Sequence, residues 1–311
     1  MNIKHVQYIQ AILREGSVTN AARTLYVSQP ALSQSIKQLE QEIGAPVFDH
    51  YKPVPHLSFA GEMYLEAAWH IHTIEMNLKN KISEQKGEIH TTLCCGISAQ
   101  RGAQLLPHVL PEYCKKYPYV QIELVEFGSQ QLEKMVRNGE CDIALVTTEP
   151  QYEQLEYRLL ENEQLCLMAS KQTYLAQHFP DGAALSLRAA RNESFVVLRP
   201  GHSIRNIQDH LFATNRFHPK ILLETNNFTT ALNVTAYANA VMLCPQRYID
   251  FSPDIREHVH CYPLDAQGFE RHFYLCYRKE LYFAEYMQDF LETIRMVLKR
   301  TSLSEGDRIH D

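Results

Sequence analysis

Between Asn20 and Gly44 the chain reads NAARTLYVSQPALSQSIKQLEQEIG, and this stretch constrains the fold more than any other. Upstream of it, Val6, Ile9, Ile12 and Leu13 recur at helical spacing, and Gly16 ends that first helix with Ser17 placed to cap the next. The second helix is short, with Ala21, Ala22 and Leu25 on one face, so a neighbouring helix can approach closely. Only Tyr26 and Val27 then separate it from Ser28, another capping residue. Pro30 is tolerated in a first turn because its missing N–H is not needed there. The third helix buries Leu32, Ile36, Leu39 and Ile43 and stops at Gly44. Two helices with so short a joint cross steeply, which is the helix-turn-helix arrangement.

The second helix of such a pair can enter the major groove of DNA with its first turns toward base edges. That gives its outward residues a role. Gln29 and Gln34 carry donor and acceptor for adenine, Ser33 can bond to several bases, and Lys37 can reach guanine or a phosphate. The run GSVTNAARTLYVSQPALSQSIKQLEQEIGAPVF, followed by LSFAGE, resembles the N-terminal domain of the LysR-type transcriptional regulators at almost every position. The resemblance implies a winged helix-turn-helix over residues 1–58 that contacts double-stranded promoter DNA through Thr19, Arg23, Ser28, Gln29, Pro30, Ser33, Gln34 and Lys37. His50 and Lys52 would contribute from the wing. The chain departs from the family where an arginine usually stands at Gln34, and where the wing usually carries arginines at His50 and Pro53. Residues 1–58 therefore carry a net charge of only +1. Phosphate neutralisation supplies most non-specific affinity, so a head this weakly basic is expected to depend on base contacts, DNA shape and several heads acting together.

Ser58 is placed to cap a long helix running to about Lys86. Met63, Ala67, Ile71, Ile74, Leu78 and Ile82 form a single apolar seam along it. Some two dozen residues reach about 36 Å, and a partner copy of the same helix is the natural cover for the seam. The resemblance implies the same, a dimerisation helix, so residues 59–88 are expected to be linker helix and hinge, giving a dimer or tetramer. His70 and His72, two apart, face different directions and do not make a metal pair.

From Thr91 the pattern changes to alternating strands and helices. TTLCCGI, YVQIELVEF, CDIALVTT, FVVL, KILLET, AVMLCP and HFYLCYR read as strands, with helical segments between. This predicts βαβ units with mainly parallel sheets in two similar halves. YPYVQIELVE and NGECDIALV resemble the effector-binding domain of the same family. That likeness implies a two-lobed, periplasmic-binding-protein-like α/β domain over residues 89–300. Lobe I is expected at about 91–165 and 268–300, lobe II at about 166–267, and a tail at 301–311. Ligands in such sheets bind at the carboxyl ends of strands. The candidates there are Ser98, Gln100, Arg101, Ser129, Thr147 and Thr148 from the first lobe and Gly201, His202 and Asn227 from the second. Arg101 suits a carboxylate, so a small anionic effector is expected. Lobe closure around it is expected to reposition the heads, provided that the effector binds the two states unequally. Substitution of Ser98 or Thr147 should then remove the response and spare DNA binding.

At 311 residues the chain has room for about two domains. Polar residues break every apolar run, so neither a signal-peptide core nor a membrane span is expected, and the cytoplasm is the expected location. The eight cysteines, none in a CxxC pair, sit mostly in strand-like runs. They read as small buried hydrophobes. A redox-responsive regulator of the same architecture is the alternative, and needs two reactive thiols in exposed loops. An enzyme or plain small-molecule-binding protein on a two-lobed fold is the rival class. No GxSxG, Walker, HExxH or post-strand GxGxxG motif supports the enzyme. His258 and His260 with Cys261 are too few for zinc. No cofactor, metal or catalytic residue is expected; RNA polymerase is a candidate partner.

Overall fold

The structure, a computed structural model, describes residues 3–49, 54–86, 89–200, 202–264 and 271–306. The chain divides into two compact units, Met1–Ile82 with Glu280–Tyr282, and Ser83–Lys279 with Phe283–Asp311.

The first unit is built on α1 (Ile3–Glu15), α2 (Val18–Thr24), α3 (Gln29–Ile43) and the greater part of α4 (Phe59–Lys86). Its punctuation follows the sequence. Gly16 and Gly44 adopt φ of +64° and +73°, conformations that release the chain from α1 and α3. The Ser17 and Ser28 hydroxyls accept hydrogen bonds from the Asn20 and Ala31 N–H groups, satisfying otherwise unpaired donors of α2 and α3. Val6, Ile9, Ile12, Ala21, Ala22, Leu32, Ile36 and Leu39 form one buried cluster with Val47 and Tyr64. Phe48 and Leu57 then form an antiparallel bridge, with the Asp49 N–H donating to the His56 carbonyl at 2.8 Å. This is the base of a wing; His50, Lys52 and Pro53 lie outside the described residues. Ser58 caps α4, accepting from the Gly61 N–H at 3.1 Å, while its own hydroxyl donates to the Pro46 carbonyl. At Gly61 a Cβ would lie 2.2 Å from the Val47 carbonyl oxygen, so only glycine lets α4 start this close to the wing base.

The second unit contains two five-stranded sheets. Its elements in chain order are β1 (Thr91–Ile97), α5 (Ala99–Lys116), β2 (Val120–Glu126), α6 (Ser129–Arg137), β3 (Ile143–Val146), β4 (Leu155–Glu163) and β5 (Leu165–Ser170). There follow α7 (Tyr174–His178), β6 (Ser194–Leu198), α8 (Ser203–Thr214), β7 (Lys220–Thr225), α9 (Phe228–Tyr237) and β8 (Val241–Pro245). The chain ends with α10 (Arg247–Asp250), α11 (Pro253–Arg256), β9 (Val259–Pro263), β10 (Arg271–Arg278) and α12 (Glu285–Gly306). One sheet has the order β2-β1-β3-β10-β4, the other β7-β6-β8-β5-β9. In each, three parallel strands are extended by antiparallel ones: β10 against β3 and β4, and β5 against β8 and β9. The sheets are thus mixed, which corrects the expectation of mainly parallel ones. The antiparallel strands are those beside the two crossovers, where β4 leads into β5 of the other sheet and the chain returns from β9 to β10. The final helix buries Met287, Phe290, Ile294 and Val297 on one face.

Candidate functional site

On α3 the 3.6-residue period separates the core from the outward face. Leu32, Ile36 and Leu39 are buried, while Gln29, Pro30, Gln34 and Lys37 are exposed and Ser33 is half-buried. Thr19, Arg23 and Ser28 are also exposed. Gln29 donates from Nε2 to the Ser33 hydroxyl at 3.3 Å, so the two side chains form one polar patch a single turn apart. This surface offers amide and hydroxyl groups with two cations, Arg23 and Lys37, and can pair with base edges without a strong phosphate clamp. Tyr26, in the turn before it, is 96% exposed and holds φ at +53°. Its exposure next to α3 was not anticipated from the sequence.

In the second unit a cavity of about 500 Å³ lies at the carboxyl ends of β1, β2, β3 and β6. Ser98, Gln100, Ser129, Thr147, Thr148 and His202 all line it. Three helices open on it, and none of the three has a side-chain cap. Ser98 at α5 and His202 at α8 make no capping hydrogen bond, and Gly128 at α6 has no side chain to make one. Elsewhere in the same unit α7 and α9 are capped by Thr173 and Asn227. Uncapped N–H groups and the positive ends of three helix dipoles therefore face one cavity, an environment that favours an anion. Asn227 is not part of the lining; its Oδ1 accepts from the Thr230 N–H at 3.0 Å. Gly201 lies outside the described residues.

Arg101 does not face the cavity. It is one position beyond Gln100, and successive helical residues point about 100° apart. Its guanidinium is instead 3% exposed, paired with Glu163 and set over the rings of Tyr248 and Phe273 at 4.9 and 4.5 Å. The arginine on the lining is Arg271, at the start of β10. Its Nη1 donates to Glu163 at 2.7 Å, and its Nη2 donates to the hydroxyls of Thr147 at 2.9 Å and Ser203 at 3.0 Å. Ser129 supports this arrangement by accepting from the Thr147 N–H at 3.0 Å. Burial pulls the proton affinity of both guanidiniums down. Sequence reasoning missed Arg271 because its partners are 68, 108 and 124 positions away, far beyond any local pattern.

Six of the cysteines are buried, Cys94 is half-buried and Cys114 is exposed. A hydrogen bond with Cys141 draws the Cys94 thiol down and pushes Cys141 up, and burial pushes up Cys95 and Cys276. A pair of exposed thiols, which the redox alternative requires, is not assembled. Among the described residues no group of three or more His, Cys, Asp or Glu is placed to hold a metal. His260 meets the Tyr262 hydroxyl at 3.1 Å, and His258 packs on the ring of Tyr237. No helix among the described residues is long and apolar enough to cross a membrane.

Comparison with known proteins agrees with this architecture. Residues 3–62 match the bacterial regulatory helix-turn-helix protein, lysR family, and residues 86–299 match the LysR substrate binding domain. The uncharacterized HTH-type transcriptional regulator YcgK of Bacillus subtilis is 30% identical over 260 residues, spanning 79% of this chain and 80% of its own. A full-length OxyR variant from Pseudomonas aeruginosa shares the fold with a TM-score of 0.71 at 20% identity, over 95% of each chain. Full-length CbnR, solved in complex with its target DNA, shares it with a TM-score of 0.59 at 19% identity, over 96% of this chain and 100% of that one. An N-terminal reading head and a two-lobed domain with a polar cavity, each matching the corresponding family pattern, place this chain in the LysR family of helix-turn-helix transcriptional regulators.

Proposed function

We propose that the chain acts by binding promoter DNA through the outward face of α3 and the adjoining α2, with Thr19, Arg23, Ser28, Gln29, Pro30, Ser33, Gln34 and Lys37 as its contacts, and that a small molecule in the cavity governs that binding. The observation that carries this reading is the clean division of α3 into a buried apolar face and an exposed face of amides, hydroxyls and one lysine. A helix that served only a three-helix core has no need of two glutamines and a serine at its first exposed turns. The wing residues His50 and Lys52 complete the proposed surface.

Self-association belongs to the same proposal. On α4, Met63, Ile71, Ile74, Leu78 and Ile82 are 47, 43, 67, 59 and 44% exposed. Five large apolar side chains on one seam favour a second copy of the helix as their cover. Two or four heads held together multiply the weak affinity that a net charge of +1 on residues 1–58 gives each one. The proposed protein is a regulator, not an enzyme, and acts in the cytoplasm, where its DNA lies; contact with RNA polymerase follows if it activates.

The test is selection of bound duplexes from a randomised DNA pool at one fixed salt concentration, with and without added metabolites. An interrupted palindrome is the expected product. Gln29→Ala or Gln34→Ala should then relax the preference at one base position in each half-site by about 1–3 kcal/mol. Failure to enrich any duplex under either condition overturns the proposal.

A further inference from the structure

The cavity wall contains a charge imbalance. Arg101, Glu163 and Arg271 are respectively 3, 1 and 7% exposed, and the single carboxylate pairs with both guanidiniums. Arginine does not discharge in proteins, so among the described residues the triad keeps one positive charge in excess. The nearby strand carboxylate that could have balanced it, Glu161, is already paired with Arg247. At the rim, Glu126 and Lys134 are both exposed and offset one another. A buried, uncompensated charge is costly unless something of opposite sign meets it. Two donors of the lining residues are left for such a group. Arg271 Nε is buried without a hydrogen-bond partner, and so is the Thr148 hydroxyl, which also lines the cavity.

Accepting the cavity as the effector site, we infer that its ligand is a carboxylate whose charge is received by Arg271, with the hydroxyls of Thr147, Thr148 and Ser203 around it. A planar carboxylate matches the edge of a guanidinium, and its single charge equals the surplus of the triad. The volume of about 500 Å³ leaves room for the remainder of a metabolite-sized molecule beyond that anchor. The position also couples binding to the lobes. Arg271, Thr147 and Thr148 belong to the sheet with β1 or the loop that leaves it, whereas Ser203 opens α8 beside the other sheet. The hydrogen bond from Arg271 to Ser203 already spans the two. A carboxylate on Arg271 Nη2 and Nε would share or take over that bond and so favour one separation of the lobes over another.

The experiment is calorimetric titration of the full chain with formate, acetate and benzoate, each beside its neutral amide, and with inorganic phosphate, at matched ionic strength. At least one carboxylate should bind saturably while its amide does not; formate is small enough that cavity shape cannot exclude it. Arg271→Gln should weaken that binding roughly tenfold or more, and Arg271→Lys should recover part of it. Circular dichroism establishes that both variants fold. Should Arg271→Gln not fold, Thr148→Val tests the same anchor and should also weaken the carboxylate. The inference fails if acids and amides bind alike, if no carboxylate binds, if Arg271→Gln binds as well as the parent, or if only phosphate binds. DNA selection on the same preparation separates this failure from that of the proposed regulator. Enriched duplexes with no carboxylate binding would leave the regulator standing and remove only the ligand assignment.

Discussion

The reading head and the cavity put polar side chains to work under opposite conditions. Between Gln29 and Lys37 the head presents its polar groups to water, each positioned by one helix whose far side is buried. Around the cavity, Arg101, Glu163 and Arg271 are desolvated and positioned by one another, although the chain passes through the other sheet between Glu163 and Arg271. An exposed amide costs little to keep and little to lose. A buried ion owes its place to its partners, and losing one partner leaves the other stranded. The head is therefore tolerant where it functions and sensitive in its core, while the cavity is sensitive where it functions.

The largest expected effect follows directly. Glu163→Gln removes the carboxylate that pairs with two buried guanidiniums, whereas Gln29 and Gln34 have water as an alternative partner. The variant should lose about 3–5 kcal/mol of stability, visible as an early thermal transition of the two-lobed unit. The head should retain its helical signal at that temperature. A loss within about 0.5 kcal/mol, ordinary for a surface change, would show that the triad is better solvated than its 1–7% exposure indicates.

The same contrast explains what could be read from the sequence. The bounds of β1 and β7 match the segments TTLCCGI and KILLET, because each is an uninterrupted local pattern between turn residues. The seam of α4 was legible for the same reason. Strands β4 and β5 carried no such mark. LEYRLLENE mixes charges on both faces and lies at a sheet edge, and LCLMAS is a short run buried on both faces. The reversed strand of one sheet is the unmarked β5; that of the other is β10, whose segment was read as a strand but whose direction no local pattern sets. At the cavity, the strand-end candidates Ser98, Gln100, Ser129, Thr147, Thr148 and His202 are on the lining. Strand ends could not rank Arg101 against Arg271. That choice depends on which side of α5 the third helical residue faces and on a strand that joins the sheet from beyond the second lobe.

A middle-sized effect tests the head where it is sensitive. Gly61→Ala places a methyl group 2.2 Å from the Val47 carbonyl oxygen, a contact that backbone movement alone can relieve. The start of α4 must then shift away from the wing base, disturbing the Ser58 N–H bond to Val47 as well. A loss of about 1–3 kcal/mol is expected, confined to the first unit. DNA binding should weaken with it, while titration of the cavity by its ligand should not change. Equal damage to both would mean that the two units do not unfold independently.

The smallest energetic effect is expected where the head is tolerant, and it is informative because the fold has no stake in it. Gln34 is exposed on α3 and makes no contact that the core requires. Gln34→Arg should leave the melting temperature within about 0.5 kcal/mol equivalents of the parent. Its consequence lies in how binding depends on salt. One further cation against the phosphates should steepen the slope of log affinity against log salt by about 0.9. Arbitrary duplexes would gain affinity from that cation as readily as the selected one, while the selected one alone loses the Gln34 amide contact, so the ratio between them should fall. A steeper slope with an unchanged ratio would place the new guanidinium on a base edge instead, making position 34 a reader of sequence. An unchanged slope would show that this part of α3 does not approach DNA, and the outward face would then have to be sought around Arg23 and Thr19.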